Sequence, residues 1–219
     1  MEMRCFGDLS GPFIPPARGG FASSLIVLLH GWGADGNDLA DVAYPISVRL
    51  PGAAFFVPNG PAPCKMNLAG REWFDIDDKV NGPVNAALII NKAILLALSE
   101  LNLSPSALAL AGFSQGGMMS LHCGLRQTPP IAAVVSFSGA LLLHDDLVNN
   151  TVERIYAPVL LIHGTEDLVV PFSLQAASCD LMKKRSIDVK TIECIGLGHG
   201  IDPDGLSAAI DFLAEYLPA

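Results

Sequence analysis

ALALAGFSQGGMMSLHCGLRQ, residues 107–127, changes character twice. ALALA is an unbroken apolar run of strand length, and MMSLHCGLRQ has helical character. Between them Gly112-Phe113-Ser114-Gln115-Gly116 reads G-x-S-x-G. A serine at a sharp strand-to-helix turn has its hydroxyl lifted above the sheet edge. Strand and helix crowd together there, so the positions two before and two after the serine must lack bulk. Gly117 adds room where the helix packs. Ser114 is therefore a candidate nucleophile, and the strand–turn–helix unit around it predicts an α/β fold.

The rest of the chain extends that unit. Apolar runs recur at 25–29 (LIVLL), 53–57 (AAFFV), 131–137 (IAAVVSF), 158–163 (PVLLIH) and 189–195 (VKTIECI). Most lack polar alternation, as strands buried on both faces of a parallel sheet do. One helical pattern runs from Pro83 through Asn102, and others follow Gln115, Pro171 and Asp202. Strand alternating with helix predicts a mostly parallel central sheet with helices on both faces. A single domain over 1–219 is expected, with no separate lid domain. The long irregular stretch 59–83, NGPAPCKMNLAGREWFDIDDKVNGP, is of a length that loops reach for functional reasons.

A serine hydroxyl is a weak nucleophile until a base takes its proton and an acid orients that base. In this architecture the chain order is serine, acid, histidine. His122 lies on the helix after the serine. His144 and His163 precede the best acid, which leaves His199 in GLGHG after the last strand. The acid is sought in GTEDLVVP, where Asp167 and Glu166 compete; the shorter aspartate suits the tight turn that Gly164 and Thr165 supply. The apolar LVVP is expected to shield its carboxylate. Asp202 and Asp204 read as helix-start residues beside Pro203, and Asp145 and Asp146 as solvated.

Leu28–Asp38, LLHGWGADGND, follows a strand with G-x-G-x-x-G. That spacing fits dinucleotide binding, but the next strand ends in Asn59 rather than in a ribose-binding acid. A calcium loop on Asp35, Asn37 and Asp38 lacks its remaining ligands. With a nucleophilic serine downstream, His30-Gly31-Trp32-Gly33 fits better as an oxyanion loop. Trp32 would donate one backbone N–H and Gln115, the residue after the serine, the other.

A formal net charge of −9 opposes binding to phosphate backbones, so no nucleic-acid partner is expected. With 51% hydrophobic and 16% charged residues, the chain can fill a large interior. Five scattered cysteines without a C-x-x-C pair suggest ordinary thiols in a reducing compartment rather than disulfides or a metal site. MEMRCFGDLSGPFIPP lacks the apolar core and cleavage site of a signal peptide. AALIINKAILLALSEL, broken by Asn91 and Lys92, reads as a core helix too short to span a bilayer. A cytoplasmic location with no stable membrane anchoring is expected.

LLHGWGADGNDL, GREWF, GFSQGGMMSL, LLIHGTEDLVVP and GLGHGI, in this order, resemble the phospholipase/carboxylesterase family of α/β-hydrolases, which includes the acyl-protein thioesterases. The early loop is closer to bacterial carboxylesterases. The resemblance implies an α/β-hydrolase fold, Ser114, Asp167 and His199 as triad, Trp32 and Gln115 as oxyanion donors, no metal or other cofactor, and frequent dimers. It implies too that Arg71, Trp73 and Phe74 lie near the acyl pocket. Arg71 is expected to pair with Asp75 or Asp77, and Met118 to line the pocket. The expected activity is that of a serine carboxylesterase on small-molecule esters of short to medium acyl chain, through an acyl-serine intermediate. Two alternatives stand beside it: a lysophospholipase or acyl-protein thioesterase acting on longer chains, and a non-catalytic binding protein on a hydrolase fold.

Overall fold

A computed structural model describes residues 1–142 and 155–218. The strands are β1 (Glu2–Phe6), β2 (Leu9–Ile14), β3 (Ser24–Leu29), β4 (Ala53–Phe56), β5 (Ala62–Pro63), β6 (Arg71–Glu72), β7 (Leu108–Phe113), β8 (Ala133–Phe137), β9 (Val159–Gly164) and β10 (Val189–Cys194). Eight of them form one sheet in the order β1-β2-β4-β3-β7-β8-β9-β10, while β5 and β6 pair apart from it. From β4 to β10 the neighbours run parallel; β1 and β2 join antiparallel at one edge.

The described helices are α1 (Gly36–Ala40), α2 (Ala43–Arg49), α3 (Asn81–Leu101), α4 (Gln115–Gly124), α5 (Ser173–Lys184) and α6 (Pro203–Tyr216). Alternate strand residues point to opposite faces. Leu25, Val27 and Leu29 of β3 therefore join Ile90 and Ile94 of α3, Met119 of α4 and Met182 of α5 in one core. Ile26 and Leu28 join Leu39 of α1, Ile46 of α2 and Phe212 of α6 in the other. Covering on both faces is why LIVLL carries no polar alternation.

This is the α/β-hydrolase fold, with two departures from the sequence reading. Residues 2–14 form an antiparallel hairpin that hydrophobic patterning does not announce. Its first strand is largely exposed, and its second contains Gly11 and Pro12. Gly11 is required there, because a side chain would collide with the backbone of Val57 and Pro58 in the chain leaving β4. Helix α3 also begins two residues earlier than expected, at Asn81, and is long and apolar enough to cross a membrane by those two criteria. Its Ala86, Ile90, Ala93, Ile94 and Ala97 are nevertheless buried in the protein core.

Candidate active site

Ser114 sits between β7 and α4 with φ 55° and ψ −119°, a backbone conformation that L-residues rarely adopt. The close packing expected around it is present. A side chain at Gly112 would enter the backbone of Gly116 and Gly117, and one at Gly116 would enter the carbonyl of Leu29 at the end of β3. The strained turn is held from the next strand, since Ser114 N–H donates to the Phe137 carbonyl at 2.8 Å.

His199 lies beyond β10, in a loop latched to the turn after β9. Gly196 N–H donates to Thr165 Oγ1 at 2.9 Å, and Glu166 N–H to the Leu197 carbonyl at 2.9 Å. Gly196 takes φ 74°, in the left-handed region that favours glycine. The loop carries the imidazole Nε2 to 2.9 Å from Ser114 Oγ and Nδ1 to 2.7 Å from Asp167 Oδ2. Because an ionised carboxylate only accepts, Nδ1 carries the proton and Nε2 accepts from the serine hydroxyl. Phe113 supports the ring at a centroid distance of 4.7 Å.

Asp167 is buried and Glu166 exposed, so the turn selects between the two acids. Asp167 Oδ1 accepts the backbone N–H groups of Val169 and Val170, both at 2.9 Å. Burial pushes the Asp167 carboxyl up. Hydrogen bonds from His199, Val170 and Val169 outweigh it and hold the group below the ordinary carboxylate range. The expected shielding by LVVP needs correction, because Leu168 is 96% exposed and Val169 68% exposed. The turn that aims two N–H groups at the carboxylate directs those side chains outward. Cover comes instead from Val170 and from His163, which is buried at the end of β9. His163 Nε2 donates to the Val170 carbonyl at 2.8 Å and lies 3.3 Å from Asp167 Oδ2.

The other candidates fall as follows. His122 is buried within α4. His144, Asp145 and Asp146 lie outside the described residues. Asp202 caps α6 by accepting from Gly205 N–H at 2.8 Å, as a helix-start residue should. At α1 the N-terminus carries a capping box of Asp35 and Asp38, which places carboxylates where a dinucleotide would bring its pyrophosphate.

The loop after β3 is organised around His30. Its Nδ1–H donates to the Gly31 carbonyl at 2.7 Å, and its Nε2 accepts from Gly60 N–H at 2.8 Å. Burial pushes the imidazole below the ordinary histidine range, and the Gly60 bond needs the neutral ring. Gly31 packs against the serine, with room for a Cβ only 3.1 Å from the Phe113 ring and 3.5 Å from Ser114 Cβ. Trp32 follows directly, and Gln115 opens α4, where a backbone N–H has no acceptor inside its own helix.

Arg71 is partnered differently from the expectation. Arg71 pairs with neither Asp75 nor Asp77. Its Nε and Nη2 donate to the Gly60 and Pro61 carbonyls, each at 2.8 Å, and Asp75 takes Lys65 instead. Trp73 and Phe74 are buried in the core, with Trp73 Nε1–H on the His30 carbonyl at 2.8 Å. Met118, half-buried, follows Ser114 by one helical turn. Three features were not read from the sequence: the Gln115 side chain, which binds the Trp73–Phe74 backbone; the buried Glu72, which binds the Trp32 indole; and His163 behind Asp167. The first two join residues some forty positions apart, which no local pattern encodes; His163 and Asp167 are only four apart, but the turn between them is fixed by backbone hydrogen bonds.

A family model described as phospholipase/carboxylesterase matches residues 17–217. Acyl-protein thioesterase 1 of Gibberella zeae is 29% identical over 227 residues, covering 94% of this chain and 96% of that protein. Esterase YpfH of Escherichia coli is 26% identical over 203 residues, covering 90% of this chain and 84% of its own. Among solved structures, esterase PE8 superposes with a TM-score of 0.87 at 36% identity, covering 95% of this chain and 99% of that one. Acyl-protein thioesterase 2 of Zea mays, at 23% identity and a TM-score of 0.72 over 94% of this chain and 98% of its own, shares the fold.

Proposed function

The chain belongs to the phospholipase/carboxylesterase family, and from that membership we propose a mechanism in which Ser114, His199 and Asp167 hydrolyse carboxylic esters. The protein is a serine hydrolase acting on small-molecule esters. The observation that carries the assignment of residues is the unbroken hydrogen-bond chain from Asp167 through His199 to Ser114, at 2.7 and 2.9 Å.

In the proposed reaction His199 Nε2 takes the hydroxyl proton as Ser114 Oγ attacks the ester carbonyl. Asp167 keeps the imidazole in the required tautomer and stabilises the imidazolium. The Trp32 and Gln115 amides bind the oxyanion. The imidazolium then gives its proton to the leaving alcohol, and the acyl-serine remains. Water resolves it: His199 takes a water proton as the oxygen attacks the acyl carbon, the acyl–Oγ bond then breaks to release the carboxylic acid, and the proton passes from His199 to Ser114 Oγ. A fluorophosphonate is expected to add one adduct, at Ser114, and Ser114→Ala to abolish both labelling and turnover. Full ester hydrolysis by a folded Ser114→Ala protein would sink the assignment.

Short to medium acyl chains are the preferred substrates in this reading, with Met118 lining the pocket. The similarity to acyl-protein thioesterase 1 favours a second reading, in which longer acyl chains or thioesters are cleaved. A cytoplasmic location and a homodimer, the latter checked by sedimentation, complete the proposal.

A further inference from the structure

The stretch Arg71-Glu72-Trp73-Phe74 touches both residues proposed as oxyanion donors, one on each side. Toward the early loop, Gly33 N–H donates to the Arg71 carbonyl at 2.9 Å and Arg71 N–H to the Ala34 carbonyl at 2.8 Å. Beside that backbone pairing, Trp32 Nε1–H donates to Glu72 Oε2 at 2.7 Å. Toward the elbow, Trp73 N–H donates to Gln115 Oε1 at 3.0 Å, while Gln115 Nε2 donates to the Phe74 carbonyl at 2.8 Å. These partners fix the orientation of the Gln115 amide, since a flipped one would set donor against donor.

We propose that this four-residue segment is the spacer of the oxyanion hole, with Glu72 and the Gln115 side chain as positioning residues that set the separation of the Trp32 and Gln115 backbone N–H groups. It rests on the reading of Ser114 as nucleophile. Two amide donors on two separate loops stabilise an oxyanion only where both reach the same point, and a pre-set distance removes reorganisation from the reaction step. The main chains of the two loops already pack closely, Gly31 against Phe113 and Gly116 against the Leu29 and His30 carbonyls, and the segment adds hydrogen bonds to the Trp32 and Gln115 side chains on either side of that contact. Glu72 is a carboxylate 96% buried, an expensive placement that a neutral packing role would not require. Its hydrogen bond to an indole N–H gives that placement a purpose. The aromatic pair Trp73–Phe74, buried in the core, anchors the spacer to the sheet.

The test separates positioning from pocket lining. Glu72→Leu removes the acceptor, Glu72→Gln keeps one, Trp32→Phe removes the indole N–H while leaving the backbone N–H at 32, and Gln115→Ala releases the other side. Each is assayed for kcat, KM and the Ki of a trifluoromethyl ketone, whose hemiketal oxyanion, formed by addition of Ser114 Oγ with the proton passing to His199, occupies the hole. Glu72→Leu, Trp32→Phe and Gln115→Ala are each expected to lower kcat about tenfold, less than the loss of a whole donor, with KM nearly unchanged and Ki raised by a similar factor. Glu72→Gln should recover most of the loss, and Glu72→Leu with Trp32→Phe should cost no more than either alone. The proposal is overturned if KM rises while kcat and Ki stay put, or if Glu72→Gln is as impaired as Glu72→Leu. Should Glu72→Leu not fold, Trp32→Phe and Gln115→Ala decide by the same readouts. An inactive Ser114→Ala protein alongside unaffected spacer variants removes the spacer and leaves the nucleophile standing.

Discussion

Nδ1 of His199 lies 2.7 Å from Oδ2 of Asp167, across 32 residues of chain. The carboxylate's other oxygen is taken by two backbone N–H groups, so the imidazole meets a fixed acceptor. Asp167→Asn would present an amide in the same space and reverse the preferred tautomer. Its kcat is expected to fall by roughly 10⁴, the loss seen for that exchange in a serine protease triad, with the fold retained by circular dichroism. A loss under about tenfold would show that Asp167 does not orient the base.

His30 supplies a stability signature in pH. Its imidazole titrates below the ordinary histidine range because it is buried, and its Nε2 accepts from Gly60 N–H. The unfolded chain, with a histidine near 6.5, therefore binds the proton first as pH falls. The contribution is complete above about pH 6.5 and is lost as pH drops toward the lower folded value. Melting temperature should decline over that interval, and His30→Gln should flatten the decline. An identical slope in the variant would remove His30 as its source.

At Gly116 a single methyl group meets the carbonyls of Leu29 and His30, both main-chain atoms that cannot swing aside. Gly116→Ala is expected to destabilise the protein by about 3 kcal/mol or more, as overpacking of a tight contact does. Urea unfolding measures it. Gly20→Ala is the informative contrast: no heavy atom lies within 4 Å of the added Cβ, and only its φ of 76° opposes the change, at a cost of about 1–2 kcal/mol.

The thiols should react very unequally. All five cysteines are free and only Cys5 is exposed. Burial pushes Cys123 up to about 12; burial, then the Asp202 hydrogen bond, pushes Cys194 to about 12 as well. Native protein is expected to release one equivalent of thionitrobenzoate quickly from Ellman's reagent, and denatured protein five. Fast release of two or more from native protein would contradict the burial.

An acyl series on p-nitrophenyl esters, with one thioester, distinguishes the two substrate readings. Preference for short to medium chains predicts kcat/KM falling beyond about eight carbons. The longer-chain reading predicts a continued rise, since each buried methylene adds about 0.8 kcal/mol of binding.

Most of the frame was legible in the sequence, as was the convergence of Ser114, His199 and Asp167, and the reasons are local. Ser114 is marked by glycines that its turn demands, Asp167 follows a strand whose apolar run reveals both-faced burial, and His199 stands among glycines after the last strand. Legibility fails where the partner is backbone or remote. Arg71 looks like half of an ion pair with Asp75, yet the carbonyls of Gly60 and Pro61 take its guanidinium. Leu168 looks like cover, but the direction of a side chain depends on a turn whose hydrogen bonds run to Asp167. The hairpin at residues 2–14 hides because its edge strand β1 is largely exposed and its inner strand β2 carries Gly11 and Pro12, which interrupt an apolar run.

The backbone of Ser114, at φ 55°, constrains which nucleophiles evolution can place there. A β-branched residue in that region is a steric outlier, whereas an unbranched one differs little from serine. A descendant lineage has cysteine open to it as a replacement and threonine closed, although threonine offers the same reacting hydroxyl. The geometry of the turn, more than the chemistry of the attacking atom, sets the mutational paths away from this enzyme.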